Sequence, residues 1–325
     1  MKRVFGLFLG ICLAVSLTML GSCAGGDDDD DNNGSACIAA AEICDGLDND
    51  CDGQVDEGCM VAAGGYHTCA LLASNGAWCW GANWDGQIGA GMDPNSGYYT
   101  YYYYPIINNY SVSVPAPVRN SAGMVSLSLG GFHSCALMAN GGVKCWGANW
   151  YGQLGDNSWD NKYFPVDVIN LTGRVNQVSA GGDHTCALLA SGSVQCWGYN
   201  GYGQLGNNST TTSNIPVQVI GLSGQAIQVA AGGDHTCALL ASGIVQCWGY
   251  NGYGQLGNNS WTTSNIPVQV IGLDAAVRNI SANWYNTCAL LANGKPVCWG
   301  GGWFVQLGIG LLGEERNIPV YPIFP

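Results

Sequence analysis

The chain has 325 residues, a mass of 34.0 kDa and a formal net charge of −13. Only 10% of the residues are charged and 47% are hydrophobic, so the composition excludes intrinsic disorder of the whole chain. The 50 glycines exclude a coiled coil or a helical bundle, and 9 basic residues against 22 acidic ones exclude a nucleic-acid-binding face. The remaining class is a Gly-rich, aromatic-rich, all-β globular protein.

The N-terminus has the pattern of an export signal. Lys2 and Arg3 precede an apolar run over residues 4–20, which is followed by small residues and Cys23. This order is typical of a signal peptide, and an uncleaved anchor helix is the alternative. The ending resembles a bacterial lipoprotein signal. That resemblance implies removal of residues 1–22, a lipid on Cys23 that anchors the protein in a membrane, and a place in the cell envelope, with the outer membrane favoured.

An acidic tether follows over residues 23–36, with five consecutive aspartates from Asp27 to Asp31. We interpret it as a solvated spacer, and an acidic ligand site is the alternative. Twelve of the 22 acidic residues lie between positions 27 and 57, where no Lys or Arg occurs. The acidity therefore belongs to this N-terminal segment, and the chain beyond residue 60 is nearly neutral.

Residues 37–59 form a segment rich in Cys and Asp. Alternating carboxylates before a glycine are typical of a loop around a hard cation, and ligands that are all oxygen favour Ca²⁺. The segment resembles the short Asp-rich metal-binding repeats of bacterial secreted proteins. Cys59 stands where an EF-hand loop has its bidentate Glu, and an acidic disulfide knot without metal is the alternative. The predicted ligands are Asp48, Asp50, Asp52, the carbonyl of Gln54, Asp56 and Glu57.

The same segment holds four cysteines, which allow three disulfide pairings. The sequence does not choose among the pairings of Cys37, Cys44, Cys51 and Cys59.

One unit repeats five times over residues 60–325. Its clearest copy spans residues 231–257 and has the sequence AGGDHTCALLASGIVQCWGYNGYGQLG. Each unit contains four short apolar segments bounded by turn residues, which favours four strands and hence a propeller blade. In the fourth unit the predicted strands are 215–220, 227–231, 236–240 and 244–248. The sequence therefore predicts an all-β fold, a β-propeller of about five four-stranded blades.

Each unit carries two cysteines spaced by ten residues. In the third unit a three-residue loop, 190–192, puts Gly192 at the left-handed position of a hairpin, and the resulting register sets Cys186 opposite Cys196. A zinc site is the alternative, because a His precedes most of the first cysteines, although one His and two Cys leave zinc incomplete. The predicted disulfides are Cys69–Cys79, Cys135–Cys145, Cys186–Cys196, Cys237–Cys247 and Cys288–Cys298.

Histidine and tryptophan recur at fixed positions of the unit. Catalysis would need one His set apart from the others, so the repeated His is predicted to be a buried hydrogen-bonding residue and the repeated Trp to be blade core. The histidines are His67, His133, His184 and His235, and the tryptophans are Trp80, Trp146, Trp197, Trp248 and Trp299.

The motif GGxHTCAL…CWGxN…GQLG resembles the regulator of chromosome condensation repeat. The resemblance implies a β-propeller, although rings of that family usually have seven blades and this chain has five units. The sequence favours a closed five-bladed ring in which strands near residues 61–63 and 318–323, from both ends of the chain, complete one blade. An open arc that closes by dimerisation is the alternative.

A Tyr-rich insert near residues 93–115 interrupts the first unit. Insertions in repeat arrays map to loops on one face, often the binding face, and Tyr offers a large contact area at low entropy cost. A low-complexity expansion without function is the alternative. The predicted binding residues are Tyr98, Tyr99, Tyr101, Tyr102, Tyr103 and Tyr104.

The motifs of serine hydrolases, phosphate-binding loops and zinc proteases are absent from the sequence, so we expect no enzyme. The expected function is a lipid-anchored scaffold that binds a protein or glycan at the cell surface. In the resembling family, one branch includes a secreted β-lactamase inhibitory protein that binds through its propeller face. A guanine nucleotide exchange factor, as in the family's namesake, and a propeller hydrolase are the alternatives.

Overall fold

A computed structural model describes residues 59–73, 76–91, 106–108, 111–310 and 312–324 of the chain. These residues form five antiparallel sheets. The first sheet contains β1 (Met60–Ala63), β2 (His67–Leu72), β3 (Gly76–Ala82), β4 (Ile106–Asn108) and β5 (Ser111–Pro117). The second contains β6 (Met124–Leu129), β7 (His133–Met138), β8 (Val143–Gly147) and β9 (Lys162–Asp167).

The other three sheets repeat the second. The third contains β10 (Val175–Ala180), β11 (His184–Leu189), β12 (Val194–Gly198) and β13 (Ser213–Gln218). The fourth contains β14 (Ala226–Ala231), β15 (His235–Leu240), β16 (Val245–Gly249) and β17 (Ser264–Gln269). The fifth contains β18 (Val277–Ala282), β19 (Asn286–Leu291), β20 (Pro296–Gly300) and β21 (Arg316–Val320). The predicted all-β fold with five blades is confirmed, and the first blade adds β4 at its outer edge.

The blades are offset from the predicted units by one strand. The sequence grouping assigned residues 215–220 to the fourth unit, but β13 pairs with β12 and is the outer strand of the third blade. The reason is the connection between these strands, which folds around Asn200. Its amide donates to the carbonyls of Ser209 and Thr211, at 3.1 and 2.9 Å, and so turns the chain back along β12.

The prediction that both chain ends complete one blade is wrong for the same reason. β21 pairs with β20 in the fifth sheet, whereas β1 pairs with β2 in the first sheet. Every blade is thus a meander that is continuous in sequence.

The predicted hairpin register is confirmed. Cys186 lies opposite Cys196 and Leu188 opposite Val194, and Gly192 adopts a φ of +81° in the loop. All five predicted disulfides are formed, each with a Cα–Cα distance of 4.1 Å. The zinc alternative is therefore wrong, because both thiols of every unit are used in a disulfide.

The repeated histidines join neighbouring blades. His184 is fully buried, and its Nε2 lies 2.9 Å from the hydroxyl oxygen of Thr236 in the next blade. That hydroxyl donates in turn to the carbonyl oxygen of Gln204. Its acceptor side is therefore left for His184, whose Nε2 must carry the proton. His67, His133 and His235 make the equivalent contact to the next blade.

Four of the five repeated tryptophans, Trp146, Trp197, Trp248 and Trp299, are buried between blades as predicted, whereas Trp80 of the first blade is only half-buried. Trp248 is fully buried and donates its indole N–H to the carbonyl oxygen of Gln204 in the preceding blade, at 2.8 Å. Apolar clusters complete each interface, as where Leu188 of the third blade packs with Ala226 and Val229 of the fourth. The core is thus shared between neighbours and is not confined to single blades.

The fifth and first blades do not form these contacts among the described residues. Val61 of the first blade is 67% exposed, whereas its equivalent in the fourth blade, Val229, is 1% exposed. Leu290 of the fifth blade is 37% exposed, against 1% for Leu239. The described blades therefore form an arc with two uncovered faces, and the closed ring favoured by the sequence is not formed by them. The described part of the chain contains no helix long and apolar enough to cross a membrane.

Candidate binding face

The blade topology brings two loops of every blade to the same end of the propeller. In a four-stranded meander, the loop after the first strand and the loop after the third strand lie at one end, and the hairpin after the second strand lies at the other. We call the first the aromatic end and the second the opposite end. The loops of the aromatic end in the third blade are residues 181–183 and 199–212.

Buried polar side chains hold the loops of the aromatic end in shape. In the third blade the backbone N–H of Leu205 donates to the side-chain oxygen of Asn200, at 2.9 Å. The N–H of Tyr202 donates to the side-chain oxygen of Gln204, at 3.0 Å. Asn200 and Gln204 are fully buried, so these loops present their remaining side chains from a fixed backbone.

Aromatic side chains cover this end in two clusters. The cluster of the first two blades consists of Tyr66, Trp84, Phe132 and Trp150. The cluster of the second to fifth blades consists of Tyr151, Tyr199, Tyr202, Tyr250, Tyr253, Trp284, Tyr285 and Trp303. Neighbouring ring centroids are 4.3 to 6.5 Å apart, so each cluster is continuous.

Many of these rings are open to solvent. Tyr66, Trp84 and Trp150 are 53%, 42% and 52% exposed, and Tyr202 is 38% exposed. Contiguous apolar surface of this kind is unusual on soluble monomers and marks interaction sites. Tyr and Trp are also the residues that most often contribute large binding energies at protein interfaces.

Three carboxylates lie among the rings. Asp183 accepts a hydrogen bond from the amide of Gln153, at 3.2 Å, and Asp234 accepts one from Gln204, also at 3.2 Å. Asp85 accepts from the amide of Asn161. Burial, followed by repulsion from Asp234 and Asp85, raises the pKa of Asp183 to about 6. Burial also raises the pKa of Asp234 and of Asp85.

None of the site residues predicted from the sequence belongs to the aromatic clusters or to these three carboxylates. Tyr98, Tyr99 and Tyr101 to Tyr104, the metal ligands between Asp48 and Glu57, and Cys23 fall outside the described residues. Within the described residues, no group of three or more His, Cys, Asp and Glu side chains is placed to hold a metal. In chain order the insert lies between β3 and β5.

Sequence reasoning missed the aromatic end because it treated the repeated positions as core. The signal was present as the residues that vary between otherwise similar units. The position before the repeated His is Tyr66, Phe132, Asp183, Asp234 or Tyr285. A position that varies while its neighbours in the repeat stay constant holds a side chain that is not needed to build the blade.

Taken together, the repeated blades and the exposed aromatic end define a repeat β-propeller with a surface suited to binding. The chain belongs to the RCC1-like domain family, whose model matches residues 21–323.

Curated relatives support this assignment. The chain is 35% identical over 218 residues to the probable E3 ubiquitin-protein ligase HERC4 of Mus musculus, which covers 66% of this chain and 19% of HERC4. It is 30% identical over 271 residues to the ultraviolet-B receptor UVR8 of Arabidopsis thaliana, which covers 82% of this chain and 58% of UVR8. The chain thus spans about a fifth of the HERC4 length, and the activity of that whole protein does not transfer to it.

Solved structures show the same fold. Human WBSCR16 superposes with a TM-score of 0.67 at 26% identity, covering 82% of this chain and 67% of that one. Prp20p of Saccharomyces cerevisiae, whose structure was described with its binding to Gsp1p and histones, superposes with a TM-score of 0.66 at 20% identity. That match covers 82% of this chain and 63% of Prp20p.

Proposed function

We propose that the chain is an exported, lipid-anchored scaffold that holds a protein or a glycan at the bacterial cell surface through its aromatic end. The observation that carries this proposal is the pair of exposed aromatic clusters on a fixed loop framework. The lipoprotein-like signal and the acidic tether of residues 23–36 supply the anchor and the spacer.

The binding part of the proposal is tested by a pull-down from native envelopes with the full mature chain. We expect Trp150→Ala and Tyr202→Ala to lower partner recovery at least tenfold, because both rings are exposed and contribute contact area. Phe324→Ala is the matched control, since Phe324 is also exposed and lies outside both clusters. Equal recovery with all three variants would refute binding through the aromatic end.

The anchoring part is tested separately by palmitate labelling and membrane fractionation. Wild-type chain should be labelled and found with the outer membrane, whereas Cys23→Ser should be unlabelled and released. Recovery of Cys23→Ser in the same membrane fraction would contradict the lipid anchor.

The role of the predicted Ca²⁺ site is tested by repeating the pull-down with and without Ca²⁺. The ligands Asp48, Asp50, Asp52, Gln54, Asp56 and Glu57 precede the propeller in sequence. We expect isothermal titration of the full chain to detect Ca²⁺, and Asp50→Asn with Asp52→Asn to abolish the signal. We expect partner recovery to be independent of Ca²⁺, because the segment is proposed as a spacer.

A hydrolase is the alternative that the carboxylates raise. Glycoside hydrolysis needs one carboxyl held as an acid while the other stays ionised. Asp183 and Asp234 occupy the same repeat position and burial raises both of their pKa values, and repulsion from Asp234 and Asp85 raises that of Asp183 further, to about 6, so this pair is the one that a glycosidase assay tests. Guanine nucleotide exchange, implied by family resemblance, is the other alternative, and exchange and glycosidase assays test the two directly.

A further inference from the structure

Three carboxylates of the aromatic end have no basic partner among the described residues. Asp85, Asp183 and Asp234 accept hydrogen bonds only from neutral amides in the described part of the chain. None of the three takes part in an ion pair formed by the described residues: Lys144–Asp167 lies at the opposite end, and Lys162–Asp156 and Arg316–Glu314 lie on other loops of the aromatic end. The three carboxylates therefore remain uncompensated.

Asp183 and Asp234 are held close together. Their blades are neighbours, and the N–H of Gly182 donates to the carbonyl oxygen of Gly232, at 3.0 Å, immediately before the two aspartates. A Cβ on Gly182 would lie 2.7 Å from the carbonyl oxygen of Gly233, so the backbones approach as nearly as glycine allows. The repulsion that helps to raise the pKa of Asp183 is the electrostatic result of this approach.

Tyrosine rings surround the two carboxylates. Tyr151 lies 4.9 Å from Tyr199, and Tyr202 lies 4.8 Å from Tyr250. Burial, Tyr202 and then Asp234 raise the pKa of Tyr199, which places that ring within the field of the aspartates. The faces of such rings are electronegative and attract cations. Rings and carboxylates thus favour the same kind of ligand.

Buried amides point to a ligand independently of the charges. The Nε2 atoms of Gln87 and Gln255 are buried and have no hydrogen-bond partner. Their side-chain oxygens accept the same loop N–H bond as those of Gln153 and Gln204, so all four amides are oriented alike. The amides of Gln153 and Gln204 donate to Asp183 and Asp234. Those of Gln87 and Gln255 face the same positions in other blades, which carry the rings of Phe132 and Tyr285.

We propose that the aromatic end recognises a protein segment by taking an Arg or Lys side chain between Asp183 and Asp234. The amides of Gln87 and Gln255, one position to either side, are buried in the free protein and donate to main-chain carbonyls of the same segment only when the side chains of Phe132 and Tyr285 move aside. A cation removes the repulsion between the carboxylates, whereas a neutral sugar leaves it in place, so charge favours a basic peptide over a neutral glycan. This inference rests on the proposed function, since it names the ligand of the same surface.

The test starts from a display library of random 12-residue peptides, selected against the full mature chain. Enriched peptides should share an Arg or Lys at one position. Replacing that residue in a synthetic peptide by citrulline, a neutral analogue of arginine, should weaken binding at least tenfold in fluorescence polarisation. Enrichment of peptides without a basic residue would overturn the proposal.

Matched variants locate the contact. The double variant Asp183→Asn with Asp234→Asn should weaken binding of the basic peptide at least tenfold. Each Asn can still accept the hydrogen bond from its neighbouring Gln amide, so the charge is the main change. Asp167→Asn with Asp274→Asn removes the same charge at the opposite end and should leave binding unchanged. An equal loss of peptide binding in both double variants would show that the peptide does not bind at Asp183 and Asp234. Circular dichroism and the melting temperature establish that each variant is folded.

The pH dependence of the wild-type chain provides a readout that needs no variant. Asp183 takes up a proton near pH 6, so the Arg peptide should bind several-fold more weakly at pH 5 than at pH 7. The groups facing Asp183 are Asp234, Asp85, Tyr199 and Gln153, and the tyrosines stay neutral in this range. The citrulline peptide should show no such change. An equal pH dependence of both peptides would contradict the proposal.

The outcome also separates this inference from the proposed function. If Trp150→Ala and Tyr202→Ala abolish partner binding while Asp183→Asn with Asp234→Asn retains it, the aromatic end binds but not through a basic side chain. Binding of neutral glycans on an array, retained by the double Asn variant, would lead to the same conclusion. If neither set of variants affects the partner, the proposed function fails as well.

Discussion

At the scale of single residues, the repeated histidine acts as a neutral bridge between blades. The hydroxyl of the facing Thr uses its proton for a Gln carbonyl, so the His must donate from Nε2. The Nδ1 atoms of all four histidines are buried without a partner. Burial lowers the pKa of His67 and His184 to about 4 and that of His133 and His235 to about 3. Protonation is therefore unfavourable in the folded state.

This predicts a loss of stability in mild acid. The unfolded chain takes up protons on its histidines near pH 6.5 and the folded chain does not, so acidification favours unfolding. The loss begins at about pH 6.5 and continues down to the folded pKa values of 3 to 4. Each buried His should contribute about 1.4 kcal/mol per pH unit, or about 2 kcal/mol at pH 5.

His235→Asn tests the histidine contribution, because Asn286 already occupies the equivalent position of the fifth unit. Urea unfolding at pH 7 and pH 5 should give a smaller difference for the variant, by about 2 kcal/mol. Asp183 opposes this trend, since its raised pKa makes the folded state bind a proton below pH 6. An unchanged pH difference in His235→Asn would contradict this role of the histidine.

At the scale of the element, the same strand has different roles in different blades. β15 is buried along its whole length because the fifth blade covers it, whereas β19 alternates between buried and partly exposed positions. The two strands have nearly the same sequence, HTCALL and NTCALL. Burial is therefore determined by the neighbouring blade and not by the strand itself.

Leu239 and Leu290 occupy the same repeat position, one covered by a neighbouring blade and the other not, so substituting each of them tests this conclusion. Leu239→Asp places a charge between the fourth and fifth blades and should destabilise the protein by several kcal/mol, or prevent folding. Leu290→Asp, at the same repeat position, lies on an uncovered face and should change stability by less than about 1 kcal/mol. Thermal unfolding compares the two, and a similar loss for both would mean that Leu290 is covered in solution.

At the scale of the whole molecule, the departures of the fifth unit have a structural explanation. Asn283 and Trp284 replace two glycines, and Asn286 replaces the bridging His. In the other blades these residues face the next blade, where a Cβ on Gly182 would meet a backbone carbonyl and where the His finds its Thr. No described blade follows the fifth, so larger side chains fit and the bridging His has no acceptor.

We therefore predict that restoring the motif in the fifth unit brings no stability. Asn283→Gly with Asn286→His should leave the melting temperature unchanged or slightly lower, because the new His has no hydroxyl to meet. His235→Asn, the reverse change in the fourth unit, should lower the melting temperature by several degrees. A rise of several degrees in the restored variant would show that the fifth blade meets the first.

Much of the fold could be predicted from the sequence. The ten-residue Cys spacing and the three-residue loop determine the hairpin register, because cross-strand distance permits few alternatives. The strand bounds also agree closely, as with 227–231 against Ala226–Ala231. Grouping the strands failed because a repeating sequence has no natural starting point. The fourth strand is closer in sequence to the unit after it, since residues 219–225 separate β13 from β14 and the longer stretch 199–212 separates it from β12.

The candidate site was harder to foresee than the fold. Buried positions repeat because each blade has the same neighbours, and they dominate the pattern that sequence reasoning detects. The aromatic end arises from loops that converge only when the blades are assembled around one axis. Tyr66 and Tyr285 are far apart in sequence, and no local spacing indicates that they share a surface.

The third and fourth units are nearly identical, and their boundary contacts are identical in kind. A blade inserted between them would find a Thr for its His in the blade after it and a Gln carbonyl for its Trp in the blade before it. The array can therefore grow or shrink by a whole unit without any new type of contact. Each added or lost unit would also add or remove one acidic position on the aromatic end. The number of repeats in the gene and the number of acidic positions on this surface would therefore change together.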